Sequence, residues 1–241
     1  MDISILKDIV AYTSPLGLES VKIVGPSSAT AISAIADDRS LIMLATTKSP
    51  VDDFAGTTCG LPNLGKLKGI LEIPEYKTGA KLSVNKNASG DPENIVFGNA
   101  ADDFSNTYRL MGTALVNSLI SNVTFKTPKW DITFIPSDDQ ILKFRYQSNV
   151  LSDGLHFTTS TKNGNLYVDM GDASSHQGSF VFGSDITGTL RNKLHWPLKQ
   201  VQSILRLTGE KNISISDAGA LQVVVDSGIA VYNYIVPTQK K

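Results

Sequence analysis

The chain has 241 residues, 41% of them hydrophobic, enough to bury a core as one large domain or two ordinary ones. Its 22 Lys and Arg against 23 Asp and Glu leave a formal net charge of −1, which excludes a protein that grips nucleic acid by bulk positive charge. One cysteine, Cys59, excludes an internal disulfide, Met1 to Lys7 lacks a signal-peptide pattern, and no apolar run reaches membrane-spanning length, so a soluble cytoplasmic protein is expected.

From Ile3 to Tyr12 the apolar residues fall at 3, 5, 6, 9 and 10, which predicts a short helix with Lys7 and Asp8 on its polar side. Pro15 and Gly17 end it. Val21 to Val24, Ala29 to Ala36 and Leu41 to Thr47 read as a meander of strands with turns at Gly25-Pro26 and Asp37-Asp38. A loop from Ser49 to Gly60 leads to a helix over Pro62 to Ile73, closed by Pro74. Strands follow at Lys81 to Asn85, Glu93 to Phe97 and Phe104 to Met111. Gly112 to Lys129 interleaves Thr, Ser and Asn with Leu115, Val116, Leu119 and Ile120, the texture of a connector.

A second pass begins at Trp130, with a strand over Asp131 to Ile135 and a helix cap at Ser137-Asp138-Asp139 before Ile141-Leu142-Lys143-Phe144. Ile-Leu-Lys also stands at 5 to 7. Leu155 to Thr161 and Asn165 to Met170 form a hairpin through Lys162-Asn163-Gly164, and Ser179 to Phe182 is a further strand. The stretch His195 to Leu207 carries apolar residues at 198, 201, 204 and 205, an amphipathic helix with a cationic back. Leu64, Leu67, Ile70 and Leu71 repeat that pattern 134 positions earlier, again with lysines outside. Strands over Asn212 to Ser216, Ala220 to Val225 and Ile229 to Val236 complete the chain. Each half runs helix, strands, helix, strands, which predicts an α+β fold of two similar domains, 1–111 and 130–241, joined by the connector 112–129.

Catalytic patterns are lacking. His156, His176 and His195 show no metal-ligand spacing and no nucleophile beside them, there is no phosphate-binding glycine loop, and Cys59 has no activating partner in its local sequence. The Asp-Asp pairs at 37–38, 52–53, 102–103 and 138–139 suit turns and caps. Asn87-Ala88-Ser89, Asn122-Val123-Thr124 and Asn212-Ile213-Ser214 match the glycosylation pattern but read as turns and strands. No enzyme, cofactor or metal site is expected.

The order Leu151-Ser152-Asp153-Gly154-Leu155, Lys162-Asn163-Gly164, Gly171-Asp172, the Leu198 to Leu207 helix and the ending Tyr234-Ile235-Val236-Pro237 resembles the DNA sliding clamps. These are the ring-shaped processivity factors of replicative polymerases, in the version shared by PCNA and the T-even phage clamps. The resemblance covers most of the chain and is looser in the first half. It implies a homotrimeric ring whose paired helices line a hole for duplex DNA, whose sheets form the outer wall, and whose subunits join across edge strands. It also implies a polymerase and a clamp-loader ATPase as partners, and places a viral member in the host cytoplasm.

A clamp that slides must reach phosphates without reading bases, and cations on the polar backs of the helices suit that task. Lys7, Lys66, Lys68, Lys143, Lys199 and Arg206 are the DNA-facing candidates, with Arg145 and Lys193 beside them. The resemblance places an outer apolar pocket for a partner peptide between connector and last strand, formed by Tyr234, Val236 and Pro237 with Leu119 and Ile120 as its lid. The alternative reading of Tyr234 and Val236 is that they are simply core residues of a last strand. The competing function is a β-rich viral structural or assembly protein, which has no reason to carry matched basic helices in both halves.

Overall fold

A computed structural model describes residues 1–25, 28–120, 125–172 and 174–239, so Pro26 and the Asn122-Val123-Thr124 site lie outside the described residues. The chain divides into two compact units. Met1–Ala36, Ile42–Thr124 and Ser227–Tyr232 make the first, and Asp37–Leu41, Phe125–Asp226 and Asn233–Lys241 the second. No helix among the described residues is long and apolar enough to cross a membrane.

The first unit contains α1 (Ile3–Thr13), β1 (Val21–Val24), β2 (Ala31–Ile35), β3 (Ile42–Thr47), β4 (Thr58–Leu61), α2 (Leu64–Leu71), β5 (Lys81–Lys86), β6 (Pro92–Gly98), β7 (Ser105–Arg109) and α3 (Thr113–Leu119). Its strands are antiparallel in the orders β4-β1-β2-β3 and β5-β6-β7, and α1 packs on α2. The predicted meander is therefore present. Two expectations change. The loop expected over Ser49 to Gly60 ends in strand β4, which pairs Val21 with Leu61 and Val24 with Thr58. Its Gly60 disguises the strand, and it is glycine for a packing reason: a Cβ there would lie 2.6 Å from Met111 Cε and 2.8 Å from Val116 Cγ2. The connector begins as helix α3, whose Val116 joins Met111 and Ile120 in a buried cluster and whose Thr113 hydroxyl donates to the Thr58 carbonyl at 2.7 Å.

In the second unit lie β8 (Ile132–Phe134), α4 (Asp138–Val150), β9 (His156–Lys162), β10 (Asn165–Gly171), β11 (Gln177–Gly183), β12 (Leu194–Pro197), α5 (Leu198–Leu205), β13 (Lys211–Ser216) and β14 (Ala220–Asp226). Strand β15 (Ala230–Pro237) starts in the first unit and ends in the second. The antiparallel order β11-β10-β9-β12 holds the predicted hairpin, with Asn163 and Gly164 at φ 52° and 73°, the left-handed pair a two-residue turn needs. Leu166, Val168 and Met170 of β10 point to the core in strict alternation.

The helix expected from His195 starts instead at Leu198. Residues 194–197 pair with β9, Trp196 is wholly buried with its Nε1 donating to Thr159 Oγ1 at 2.9 Å, and Pro197 takes the N-cap position of α5. Long-range pairing outweighs helical spacing at these three residues. At the other end the buried Lys211 ammonium donates to the Leu207 carbonyl and, at 2.6 Å, to that of Gly209, closing the turns after α5. Burial holds its pKa below the usual lysine range, opposed by the charge of Asp138.

Cys59 is fully buried, and burial alone pushes its thiol from 9.0 up to about 12. Its thiolate is therefore scarce near neutral pH, and we expect iodoacetamide to leave it unmodified in the native state and to alkylate it on unfolding. The sign for stability follows: between 9.0 and about 12 the unfolded chain gives up this proton and the folded one retains it, so stability falls as pH rises through that window. Rapid native-state labelling, followed by mass spectrometry, would contradict the assigned burial.

Candidate nucleic-acid interface

Each unit carries two helices that bury one side and turn cations outward. In α2 the buried residues are Leu64, Leu67, Ile70 and Leu71, and in α5 they are Leu198, Val201, Ile204 and Leu205. Both helices have eight residues, and all four buried positions repeat at the 134-residue interval read from the sequence. Asn63 caps α2 from the left-handed region, its Oδ1 accepting from the Lys66 amide at 3.0 Å. Lys66, Lys68, Lys199 and Arg206 are all exposed. Lys68 lies 3.8 Å from Glu72 in an open i,i+4 pair, which screening makes a minor constraint.

The other helix of each unit is built differently. Asp2 caps α1, with its Oδ1 accepting from the Ser4 amide at 2.8 Å, and hydrogen bonds from Ser4 hold this carboxyl below its usual pKa. Leu6, Ile9 and Val10 are buried and Lys7 is exposed. Asp8, expected on the polar side, is half-buried. Its Oδ2 accepts from Ser227 Oγ at 2.9 Å and Tyr232 OH at 2.7 Å, while the Tyr232 ring stacks on Tyr12 at 4.7 Å.

Helix α4 opens with a capping box between Ser137 and Gln140 and with Asp138 and Asp139 in its positively polarised first turn. It buries only Phe144 and Ser148 completely. That register revises the repeated Ile-Leu-Lys. Leu6 and Val10 of α1 correspond by burial to Phe144 and Ser148, an interval of 138, so the counterpart of Lys7 is Arg145 and not Lys143. Lys143 and Arg145 are both exposed. Lys193 lies outside the helices, 3.7 Å from Asp169 on the sheet.

The pocket candidates separate by burial. Ile120, Tyr234 and Val236 are buried, with Tyr234 and Val236 at 0% exposure, whereas Pro237 is half-buried and Leu119 is 57% exposed. Leu115, one turn before Leu119 on α3, is 53% exposed and makes an outward apolar pair with it, although the pocket assignment included only Leu119 of the two. Leu119 and Ile120 belong to the first unit, and 234, 236 and 237 to the second.

The fold also gathers residues that are far apart in the chain. His156, His176 and His195 line one cleft of about 840 Å³ in the second unit, together with Asp153, Asp169 and Lys193. Strand register does this, pairing His195 with Thr158, Thr158 with Asp169 and Asp169 with Ser179. Among the described residues no group of three or more His, Cys, Asp or Glu is arranged to hold a metal ion.

No family model matches the sequence, and no curated protein matches it. Solved structures do match over nearly the full length. A. fulgidus PCNA, solved with the C-terminal region of FEN-1 bound, has a TM-score of 0.73 at 10% identity, covering 100% of this chain and 97% of that one. Proliferating Cellular Nuclear Antigen from Entamoeba histolytica gives 0.73 at 13% identity, with 99% and 96% covered. PCNA from Thermococcus kodakaraensis gives 0.68 at 11%, with 97% of each chain covered. With its duplicated helix pairs and antiparallel sheets, the chain has the DNA-clamp fold of the PCNA structures.

Proposed function

We propose that this protein is a DNA sliding clamp, a processivity factor that encircles duplex DNA and tethers a replicative polymerase. The observation that carries the reading is the duplicated helix, burying the same four positions in α2 and α5 and turning cations outward in both. Lys7, Lys66, Lys68, Lys143, Lys199 and Arg206 are its phosphate-facing residues, and the burial register adds Arg145. The contacts are electrostatic and indifferent to sequence, so the ring slides. A net charge of −1 suits such a surface, because the remaining acidic residues offset it elsewhere.

The domains of the clamp are 1–111 and 130–241, with 112–129 between them. Partner proteins dock a short apolar peptide, and the C-terminal region of FEN-1 bound to A. fulgidus PCNA supports a peptide partner; of the five pocket candidates only Leu119 and Pro237 reach the surface, since Ile120, Tyr234 and Val236 are buried. The ring closes as a homotrimer. Strands β7 and β11 are each one of the two outer strands of their sheets, the others being β5 and β12, and pairing between copies through such edges leaves them covered. Chemistry resides in the partners: a polymerase that extends the primer and a loader ATPase that opens the ring.

The test is extension of a primed circular template by a polymerase and loader of the same replication system, with and without the protein. A marked increase in product length that disappears on a linear template, from which a ring slides off, is the expected result. Products of unchanged length on the circle would overturn the reading.

A further inference from the structure

The two helices of the second unit meet along a seam of neutral polar side chains. Gln202 Nε2 donates to Ser148 Oγ at 2.7 Å and to Asn149 Oδ1 at 2.9 Å, and Arg206 Nη2 donates to the same Asn149 oxygen at 3.2 Å. The Ser148 hydroxyl, buried beneath, donates to the Arg145 carbonyl at 3.1 Å. Asn149 is itself exposed on α4. Its amide oxygen thus serves two donors from α5, and Gln202 decides which way that amide faces, since the turned amide would set its NH₂ against both of them.

Arg206 stands at the C-cap of α5, where the negative end of the helix favours a cation. Among the described residues it has no carboxylate partner. This distinguishes it from Lys68, Lys81, Arg109 and Lys193, each of which lies within ion-pair distance of an acid. A neutral oxygen holding one guanidinium nitrogen restricts the side chain without cancelling its charge, and the other N–H donors remain available for an anion. Residues 199, 202, 203 and 206 share one face at spacings of three and four, so the tethered arginine ends a stripe that begins at Lys199.

We propose that Asn149 is a positioning residue that acts through Arg206, holding the guanidinium ready for a phosphodiester oxygen of the passing duplex, with Gln202 keeping Asn149 in the required orientation. The proposal rests on the reading of α5 as a DNA-facing helix. It separates a presented cation from one that is merely exposed: Lys199 has the charge, and Arg206 has the charge and a fixed position.

The test is a double-mutant cycle on the full chain, with affinity for a labelled short duplex followed by fluorescence anisotropy over a range of salt. Arg206→Ala is expected to weaken binding and to reduce the salt slope by about 0.9 for the lost phosphate contact. Asn149→Leu should weaken binding about two- to fivefold when Arg206 is present and have no further effect in the Arg206→Ala background, the non-additivity that defines action through that residue. Gln202→Met, which removes the orienting donor and leaves Asn149 in place, should show the same dependence on Arg206. Equal losses in both backgrounds, or no loss with Arg206 present, would overturn the positioning role while the DNA-facing reading stands. An Arg206→Ala protein that binds DNA as the parent does would instead overturn the DNA-facing reading of α5, and the positioning role with it.

Discussion

Replacing Phe144 with alanine is expected to cost about 3–5 kcal/mol, the range for truncating a buried phenylalanine, against a total stability on the order of 5–15 kcal/mol for a folded protein. The ring is fully buried. It makes edge contacts with Phe157 at 5.2 Å and Phe180 at 6.3 Å and a tilted contact with Phe182 at 5.4 Å. Few residues share this burden, because the only other fully buried side chain of α4 is Ser148. Loss of the ring leaves a cavity between helix and sheet, and the helix that carries Lys143, Arg145 and Asn149 loses its anchor. Denaturant unfolding measures the effect directly, and Phe144→Leu, which keeps part of the volume, should recover a good share of the loss. A change below about 1 kcal/mol for the alanine variant would show that α4 is held by other contacts.

Reversing Lys66, Lys68 and Lys199 to glutamate should lower the affinity for short duplex DNA at low salt by at least about tenfold and flatten its salt dependence. All three side chains are exposed on faces opposite buried leucines and isoleucines, so the fold should tolerate the change. The Lys68 variant also loses its open pairing with Glu72, a contact worth little at the surface. Polymerase extension that depends on the protein should fall in parallel. Equal binding and equal extension, with thermal unfolding unchanged, would remove these faces from the DNA-binding surface.

How far each of these sites could be read in advance depends on how local its cause is. Leu198, Val201, Ile204 and Leu205, and their counterparts from Leu64 to Leu71, were legible because a helix places residues three and four apart on one side whatever surrounds it. The Lys162-Asn163-Gly164 turn was legible for a similar reason, since Asn and Gly accept the positive φ that the hairpin demands. The repeated Ile-Leu-Lys and the buried side of the two helices differ in register by two residues. Identical tripeptides do not determine which side of a helix is buried, and in α4 the burial of Phe144 among three other rings sets that rotation.

The sequence by itself therefore determined the repeated helix, its cationic side and the alternating strands, because each follows from backbone periodicity and the charge of the residues concerned. Tertiary structure alone decided the rest. It made His195 to Pro197 a strand by pairing them with β9, exposed β4 as a strand through its register with β1, and brought Asn149 beneath Arg206, 57 residues away in the chain. The physical reason is the same in each case: such pairings depend on which distant segment lies alongside, and no local pattern of residues encodes that neighbour.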